Sequence, residues 1–201
     1  MIGLKPIAVL AATLLPVGCS NVVTTRNLPL EQIPTSTMPA DTGIKSSQSM
    51  SWHVKDVRVS VPETLTVSEA NLYLPKSDIV WREDPHGDRR AQVATIMEMA
   101  ASQAVIGLEG SAPVYLDIEV QRFHALSQKA RATVGGVHTI FFDIVIRDVA
   151  TNVALTDPMP IEIRLKAYGG QKAIDAEMRG ETQKLRITRE IASVTRKYLG
   201  I

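Results

Sequence analysis

The chain has 201 residues, a formal net charge of +1 and a single cysteine. One thiol excludes an internal disulfide, and a charge so close to zero excludes the strongly basic surface on which non-specific nucleic-acid binding depends. Aromatic residues make up only 4% of the chain, so the core of any folded domain must be mostly aliphatic.

The first 18 residues have the pattern of a secretory signal peptide. Lys5 supplies a short positive region, and the run PIAVLAATLLPV, residues 6–17, is apolar except for Thr13. A helix of this length reaches only about 18 Å, which is too short for a hydrocarbon core of about 30 Å. We therefore predict a secretion signal over residues 1–18 rather than a membrane-spanning helix.

The sequence LLPVGC, residues 14–19, resembles a bacterial lipobox, although Pro16 stands where leucine is usual. The resemblance implies cleavage between Gly18 and Cys19 and the attachment of acyl chains, palmitate among them, to Cys19. Each buried methylene contributes about 0.8 kcal/mol, so several chains hold a protein stably on a bilayer. Ser20 rather than Asp after the cysteine resembles lipoproteins routed to the outer membrane, facing the periplasm.

Residues 19–50 are predicted to form a flexible linker that carries this lipid anchor. They are rich in Ser, Thr and Pro and show no helical or strand period. Such a composition buries too little apolar surface to offset the entropy of ordering. The linker would separate the folded domain from the bilayer.

The folded domain is predicted over residues 51–201. Its first strand lies within residues 51–62, where valines alternate with polar residues. The residues at the start of this segment have the opposite phase, so we expect a β-bulge near Asp56. A second short strand is predicted within residues 77–83.

A helix is predicted over residues 89–108, with Asp88 as its N-cap. Apolar residues recur there at helical spacing: Val93, Met97, Ala101, Ala104 and Leu108. The preceding turn, DPHGD at residues 84–88, groups carboxylates that suggest a cation site. Turn and capping chemistry explain the same residues, and we favour that structural role.

Three strands follow, within residues 112–123, 137–149 and 160–168, and their short connections predict an antiparallel meander. The middle strand has Phe141 and Val145 on the face opposite its main apolar face. We therefore expect this strand to be central and covered on both sides.

A C-terminal helix is predicted within residues 181–200 from one apolar stripe: Ile187, Ile191, Val194 and Tyr198. It is rich in cations, which either complement the helix dipole, the interpretation we favour, or contact anionic lipid headgroups or an acidic partner: Lys184, Arg186, Arg189, Arg196 and Lys197. The order of elements predicts an α+β fold, in which an antiparallel sheet carries two helices on one face.

The sequence contains no catalytic motif. The four histidines, His53, His86, His124 and His138, lack the spacing of a zinc protease. His124 and His138 lie on neighbouring predicted strands that could bring them together, but no carboxylate partner is evident. The glycine pairs in VGG, residues 134–136, and YGG, residues 168–170, lack the lysine of a phosphate-binding loop. We predict no cofactor, no metal and no enzymatic activity.

The stretch DIVWREDPHGDRRAQVATIMEMAASQAV, followed by strands and a final helix, resembles an uncharacterised group of alphaproteobacterial lipoproteins. The likeness spans residues 52–199 and depends on five positions: Trp81, Asp84, Gly87, Arg89 and Gln92. More distantly, the chain is similar to auxiliary lipoproteins of ABC-type lipid transport systems, which are non-catalytic partners of envelope complexes.

Three functions remain open at this point. The first is a lipid-anchored periplasmic interaction module that docks on another envelope protein, for example through a free sheet edge. The second is a carrier for a lipid or another apolar ligand, which requires a cavity lined by residues such as Met97, Phe142 and Ile144. A periplasmic hydrolase is a third, weaker hypothesis, since it would need one of the histidines at a cleft.

Overall fold

The computed structural model describes residues 43–201, all of which belong to one compact unit of the chain. The predicted signal peptide, the cleavage site at Gly18 and Cys19, and residues 19–42 of the predicted linker lie outside the described residues. The lipid anchor therefore stays a prediction.

The α+β class is confirmed. The predicted helices and strands are all present in the predicted order, and three short helices are added to them. In chain order the elements are α1 (Ser46–Ser49), β1 (Trp52–Ser60), β2 (Ile79–Val80), α2 (Arg89–Ala104), β3 (Ala112–His124), α3 (Gln128–Ala132), β4 (Gly136–Asp148), β5 (Met159–Ala167), α4 (Gln171–Met178) and α5 (Gln183–Tyr198).

The five strands form one sheet in the order β1-β3-β4-β5, and β2 pairs with the end of β3. The pairs β3–β4 and β4–β5 are antiparallel, as the predicted meander requires. However, β1 and β2 pair with β3 in parallel, so the sheet is mixed rather than wholly antiparallel. The cause is α2, because a crossover helix returns the chain to the sheet in the same direction.

The strands place their apolar residues as the alternation predicts. The inward residues of β3 and β4 are all buried: Val114, Leu116, Ile118, Val120, Ile140, Phe142, Ile144 and Ile146. Burying each such side chain contributes about 1.5–3 kcal/mol. The predicted bulge in β1 is also confirmed, since its pairing with β3 shifts register between Val54 and Asp56.

Helices α2 and α5 cover this apolar face of the sheet. Each begins at a side-chain cap: Asp88 accepts from the backbone N–H groups of Arg90 and Ala91, and Thr182 accepts from that of Leu185. A cap satisfies backbone N–H groups that the first helical turn leaves free, so both N-termini are fixed by the sequence.

The two helices run in the same direction. Near their N-terminal ends the Lys184 Nζ lies 2.9 Å from the Asp84 Oδ1. At their C-terminal ends the Arg196 Nη1 donates to the Ala104 carbonyl at 2.9 Å. A 16-residue helix is about 24 Å long, so these contacts join the pair at both ends of the domain.

The described chain begins beside the C-terminal end of α5, which we call the entry end of the domain. The Ile44 N–H donates to the Tyr198 carbonyl at 2.9 Å, and the Ser46 hydroxyl donates to the Gly200 carbonyl at 2.6 Å. Residues 43–50, the last of the predicted linker, thus contact the domain in part through the short helix α1.

The expectation for β4 was half right. The strand is central, between β3 and β5, but Phe141 and Val145 are only half-buried on the face that the helices leave uncovered. Their apolar character misled the prediction because aromatic and β-branched residues also suit the half-exposed face of a sheet.

The two glycine pairs meet where β4 begins and β5 ends. A Cβ atom on Gly169 would lie 1.9 Å from the Gly135 nitrogen, and Gly135 has a φ of +74°. Only glycine allows both this close approach and this backbone conformation. The two motifs therefore serve loop geometry.

Candidate interaction surface

The face of the sheet opposite α2 and α5 is lined by alternate residues of β3, β4 and β5, and we call it the open face. Its members are the outward partners in the strand register: Tyr115, Asp117, Glu119, Phe141, Asp143, Val145, Arg147, Pro160, Glu162 and Arg164. Most are charged, and two of them, Phe141 and Val145, are large and apolar.

One part of the open face is an ordered charge network. The Asp117 carboxylate accepts two hydrogen bonds from Arg58, at 2.6 and 2.8 Å, and a third from Arg147 at 2.9 Å. The Arg58 guanidinium also lies 4.1 Å from the centre of the Tyr115 ring. The hydrogen bond to Asp117 raises the pKa of Arg58 above its usual value. This network joins side chains of β1, β3 and β4 across the open face.

A second part of the open face is acidic. Glu119 of β3 lies directly opposite Asp143 of β4, and Gln121 reaches both carboxylates, at 3.4 and 3.1 Å. Within residues 43–201 neither carboxylate forms an ion pair. Like charges directly opposite each other in a sheet are destabilising, so this pair would gain from an added cation.

Two shallow grooves of about 360 and 400 Å³ meet at Asp143. The first runs past Val145 and Pro158, and the second runs past Phe141 and Pro160. The first groove also contains Arg58 and Arg147, but both are paired with Asp117. Apolar side chains beside carboxylates that have no cationic partner suit a side chain with an aliphatic stem and a cationic head, which is the character of Lys and Arg.

The edge at β5 is less suited to strand addition than the sequence suggested. Pro160 has no backbone N–H, and the Lys166 carbonyl accepts from the Arg186 Nη2 at 2.6 Å. Both features remove backbone groups that an added strand requires. The open face is therefore a better candidate for docking than the β5 edge.

The polar cluster around DPHGD is a structural junction between α2 and α5. The Asp84 carboxylate accepts from the Trp81 indole N–H at 2.8 Å and from Lys184 at 2.9 and 3.0 Å. Burial acts to raise the pKa of Asp84, but the hydrogen bonds from Lys184 and Trp81 outweigh it and hold that pKa below its usual value. These oxygens are engaged within the fold, as the structural interpretation expects.

The five positions behind the family resemblance all meet at this junction. The buried guanidinium of Arg89 donates to the Asp84 and Pro85 carbonyls, both at 3.1 Å, and to the Gln92 Oε1 at 2.7 Å. A Cβ on Gly87 would contact the Gln92 amide at 3.4 Å. These five residues thus pack the junction, which their spacing alone did not reveal.

The histidines do not converge. His53 and His86 are exposed, and the His124 Nε2 lies 2.9 Å from the Pro75 carbonyl. His138 is buried and lines a small cavity with Gln183 and Arg186 of α5. Phe123, the neighbour of His124, is buried on the helix-covered face, which places His124 on the other face from His138. Within residues 43–201 no group of three His, Cys, Asp or Glu residues is arranged to hold a metal ion.

Most cations of α5 are engaged within the domain. Lys184 binds Asp84, Arg196 donates to the Ala104 carbonyl, and Arg186 lies 3.8 Å from the centre of the Tyr168 ring. Arg189 and Lys197 are exposed. Three of the five cations of this helix thus hold the fold together.

The residues that the carrier hypothesis assigned to a ligand cavity belong to the core. Met97, Phe142 and Ile144 are at most 1% exposed and lie in one apolar cluster between the sheet and the helices. Protein side chains therefore occupy this space. In the part of the chain that the structure describes, no helix is long and apolar enough to cross a membrane.

These features define an α+β domain with one helix-covered sheet face and one open, polar face. Residues 52–201 match a family of unknown function, DUF6778, and the chain belongs to that family. Comparison with curated proteins gives no match.

Two solved structures are similar to this chain in shape. Protein XCC0632 from Xanthomonas campestris, of family DUF330, has 12% identity and a TM-score of 0.45, over 84% of this chain and 90% of its own. A candidate lipoprotein from Caulobacter crescentus has 11% identity and a TM-score of 0.32, over 77% of this chain and 94% of its own.

Proposed function

We propose that this protein is a non-catalytic, lipid-anchored accessory module of the bacterial cell envelope, which docks a protein partner on its open face. The observation that carries the docking proposal is the Glu119–Asp143 couple, which has no cationic partner within residues 43–201 and lies where two grooves with apolar as well as polar side chains meet. The partner is inferred to present a Lys or Arg side chain to this couple, because an added cation relieves the like-charge repulsion.

The anchor in this proposal is Cys19, with cleavage after Gly18 and a periplasmic domain beyond the linker. The lipobox resemblance of residues 14–19 supports the anchor. A location in the outer membrane rather than the inner membrane is proposed from Ser20. Asp84, Asp117 and Arg89 hold the fold together through contacts within the domain. This structural role of the polar clusters is consistent with the proposed non-catalytic module.

The proposal is tested by photo-crosslinking in cells. A photoreactive phenylalanine analogue at Phe141 is expected to capture an envelope protein, and the same analogue at Ser193, exposed on α5, is the matched control. Charge reversal by Glu119→Lys with Asp143→Lys is expected to abolish the crosslink at Phe141. Equal capture from Ser193, or a crosslink that survives charge reversal, would count against docking on the open face.

A further inference from the structure

The domain has a second unusual surface, at the end opposite the entry end. Three segments form it: residues 71–76, residues 128–136 with α3, and residues 166–181 with α4. They are joined by contacts between neighbours. The Lys129 N–H donates to the Asn71 Oδ1 at 2.6 Å, and the Gly170 N–H donates to the Arg131 carbonyl at 2.9 Å. We call this surface the α4 end.

The α4 end concentrates exposed apolar side chains. Eleven large hydrophobic residues are exposed among residues 43–201, and six of them lie in these three segments: Leu72, Tyr73, Leu74, Val134, Ile174 and Met178. Leu74, Met178 and Val134 are 82%, 81% and 76% exposed. Ile174 and Met178 are one helical turn apart on α4, whose opposite side buries Ala173 and Ala176.

The same segments are basic. They contain six basic residues against three acidic ones, although the whole chain is close to neutral: Lys76, Lys129, Arg131, Lys166, Lys172 and Arg179 against Asp175, Glu177 and Glu181. Arg131 pairs with Glu177, and Lys129 lies 4.5 Å from the centre of the Tyr73 ring. Lys76 and Lys172 are exposed.

We propose that the α4 end docks on the surface of a bilayer that carries anionic headgroups. Protruding aliphatic side chains, an interfacial Tyr and surrounding Lys and Arg residues are the combination that lipid interfaces bind. The apolar residues stand on three separate segments. A fluid bilayer can surround each of them, whereas a protein partner needs a continuous patch of matching shape.

This docking goes beyond the proposed function, and it uses a surface distinct from the open face. The described chain begins at the entry end, where Ile44 contacts Tyr198, and the α4 end lies at the opposite end of the domain. Acyl chains on Cys19 would bind any vesicle, so the test must separate binding by the anchor from binding by the α4 end.

The test uses the protein purified from cells and two sets of vesicles. Neutral donor vesicles of phosphatidylcholine take up the protein through its anchor, and acceptor vesicles contain about 30 mol% phosphatidylglycerol. We expect the protein to cluster donors with anionic acceptors, but not with neutral acceptors. Raising the ionic strength should weaken the clustering, because salt screens the basic residues.

Two triple variants make the result specific. Leu74→Ser with Val134→Ser and Met178→Ser is expected to lower the clustering at least tenfold. The matched control is Met50→Ser with Ile106→Ser and Val153→Ser, which removes three exposed side chains at the entry end and should leave clustering unchanged. Thermal unfolding of both variants confirms that these surface changes leave the fold intact.

The outcomes separate this inference from the proposed function. If the protein does not enter donor vesicles, the anchor proposal fails, and flotation of the same protein with anionic vesicles then tests the α4 end directly. Absence of binding to anionic vesicles, or an equal loss in both triple variants, would overturn the inference. Self-association that only the α4-end variant abolishes would overturn it in favour of a second copy of the chain.

Discussion

His138 couples the stability of the domain to pH through its burial. Its side chain is 1% exposed, and its Nδ1 has no hydrogen-bond partner among the described residues. Burial lowers the pKa of His138 from 6.5 to about 3, and the nearby charges of Arg186 and His124 act in the same direction. The folded domain therefore keeps this imidazole neutral in a pH range where the unfolded chain protonates it.

The sign of the effect follows from where the proton binds. As the pH falls below 6.5, the His138 imidazole binds a proton in the unfolded chain, whereas in the folded domain it stays neutral down to about pH 3. The free energy of unfolding should then fall by as much as about 1.4 kcal/mol per pH unit in this window. Urea unfolding at pH 7, 6 and 5 measures this slope.

His138→Gln should remove most of that slope, since glutamine does not titrate. His86→Gln is the control, because His86 is exposed and its substitution should leave the slope in place. The interval from pH 6.5 to 5 lies above the pKa range of ordinary carboxyls, which keeps their contribution small. An unchanged slope in His138→Gln would show that another group is responsible.

At the scale of elements, Asp84 joins the two long helices. Its carboxylate accepts from Trp81 and from Lys184, which lies in the first turn of α5. Asp84→Ala leaves the buried Trp81 indole N–H and the Lys184 ammonium without this acceptor. We expect a loss of about 2–3 kcal/mol in the free energy of unfolding, measured by urea denaturation.

The comparison for Asp84→Ala is Asp88→Ala, which removes the cap of α2 but leaves the junction with α5 intact. Loss of a cap costs about 1 kcal/mol, so this variant should be clearly more stable than Asp84→Ala. Equal effects would mean that Asp84 acts through its turn alone and not through Lys184.

The sequence predicted the elements that are long enough to show a repeating apolar pattern. The apolar stripe and Asp88 identified α2, and alternation identified the inward residues of β3 and β4. Helices α3 and α4 were missed because they have five and eight residues, too few for a periodic pattern to stand out. The apolar stripe through Ile187 and Ile191 identified α5, just as a similar stripe identified α2.

The pairing of strands was harder to predict than the strands themselves. The residues of β1 do not show whether this strand pairs with β3 in the parallel or the antiparallel direction. The direction depends on how α2 packs across the sheet between the two strands. The open face was missed for a related reason. Glu119 and Asp143 are far apart in the chain, and only the register of β3 against β4 brings them opposite each other.

At the scale of the whole molecule, the anchor is the prediction that decides where the protein lies. We expect the mature protein to carry acyl mass on Cys19 and to fractionate with membranes. Cys19→Ala should remain uncleaved or become soluble, because the lipobox requires the thiol. Intact mass and membrane fractionation measure both properties. An unacylated, soluble mature protein would contradict the anchor.

The shared direction of α2 and α5 has an electrical consequence. Each helix carries about half a positive charge at its N-terminus and half a negative charge at its C-terminus. In antiparallel neighbours these moments cancel, but in this parallel pair they add. The positive pole of this combined moment meets carboxylates within the fold, because Asp88 accepts from the first turn of α2 and Glu83 accepts from the Lys184 N–H of α5 at 2.9 Å. Acidic side chains therefore stabilise both helices at the end where their positive poles lie together.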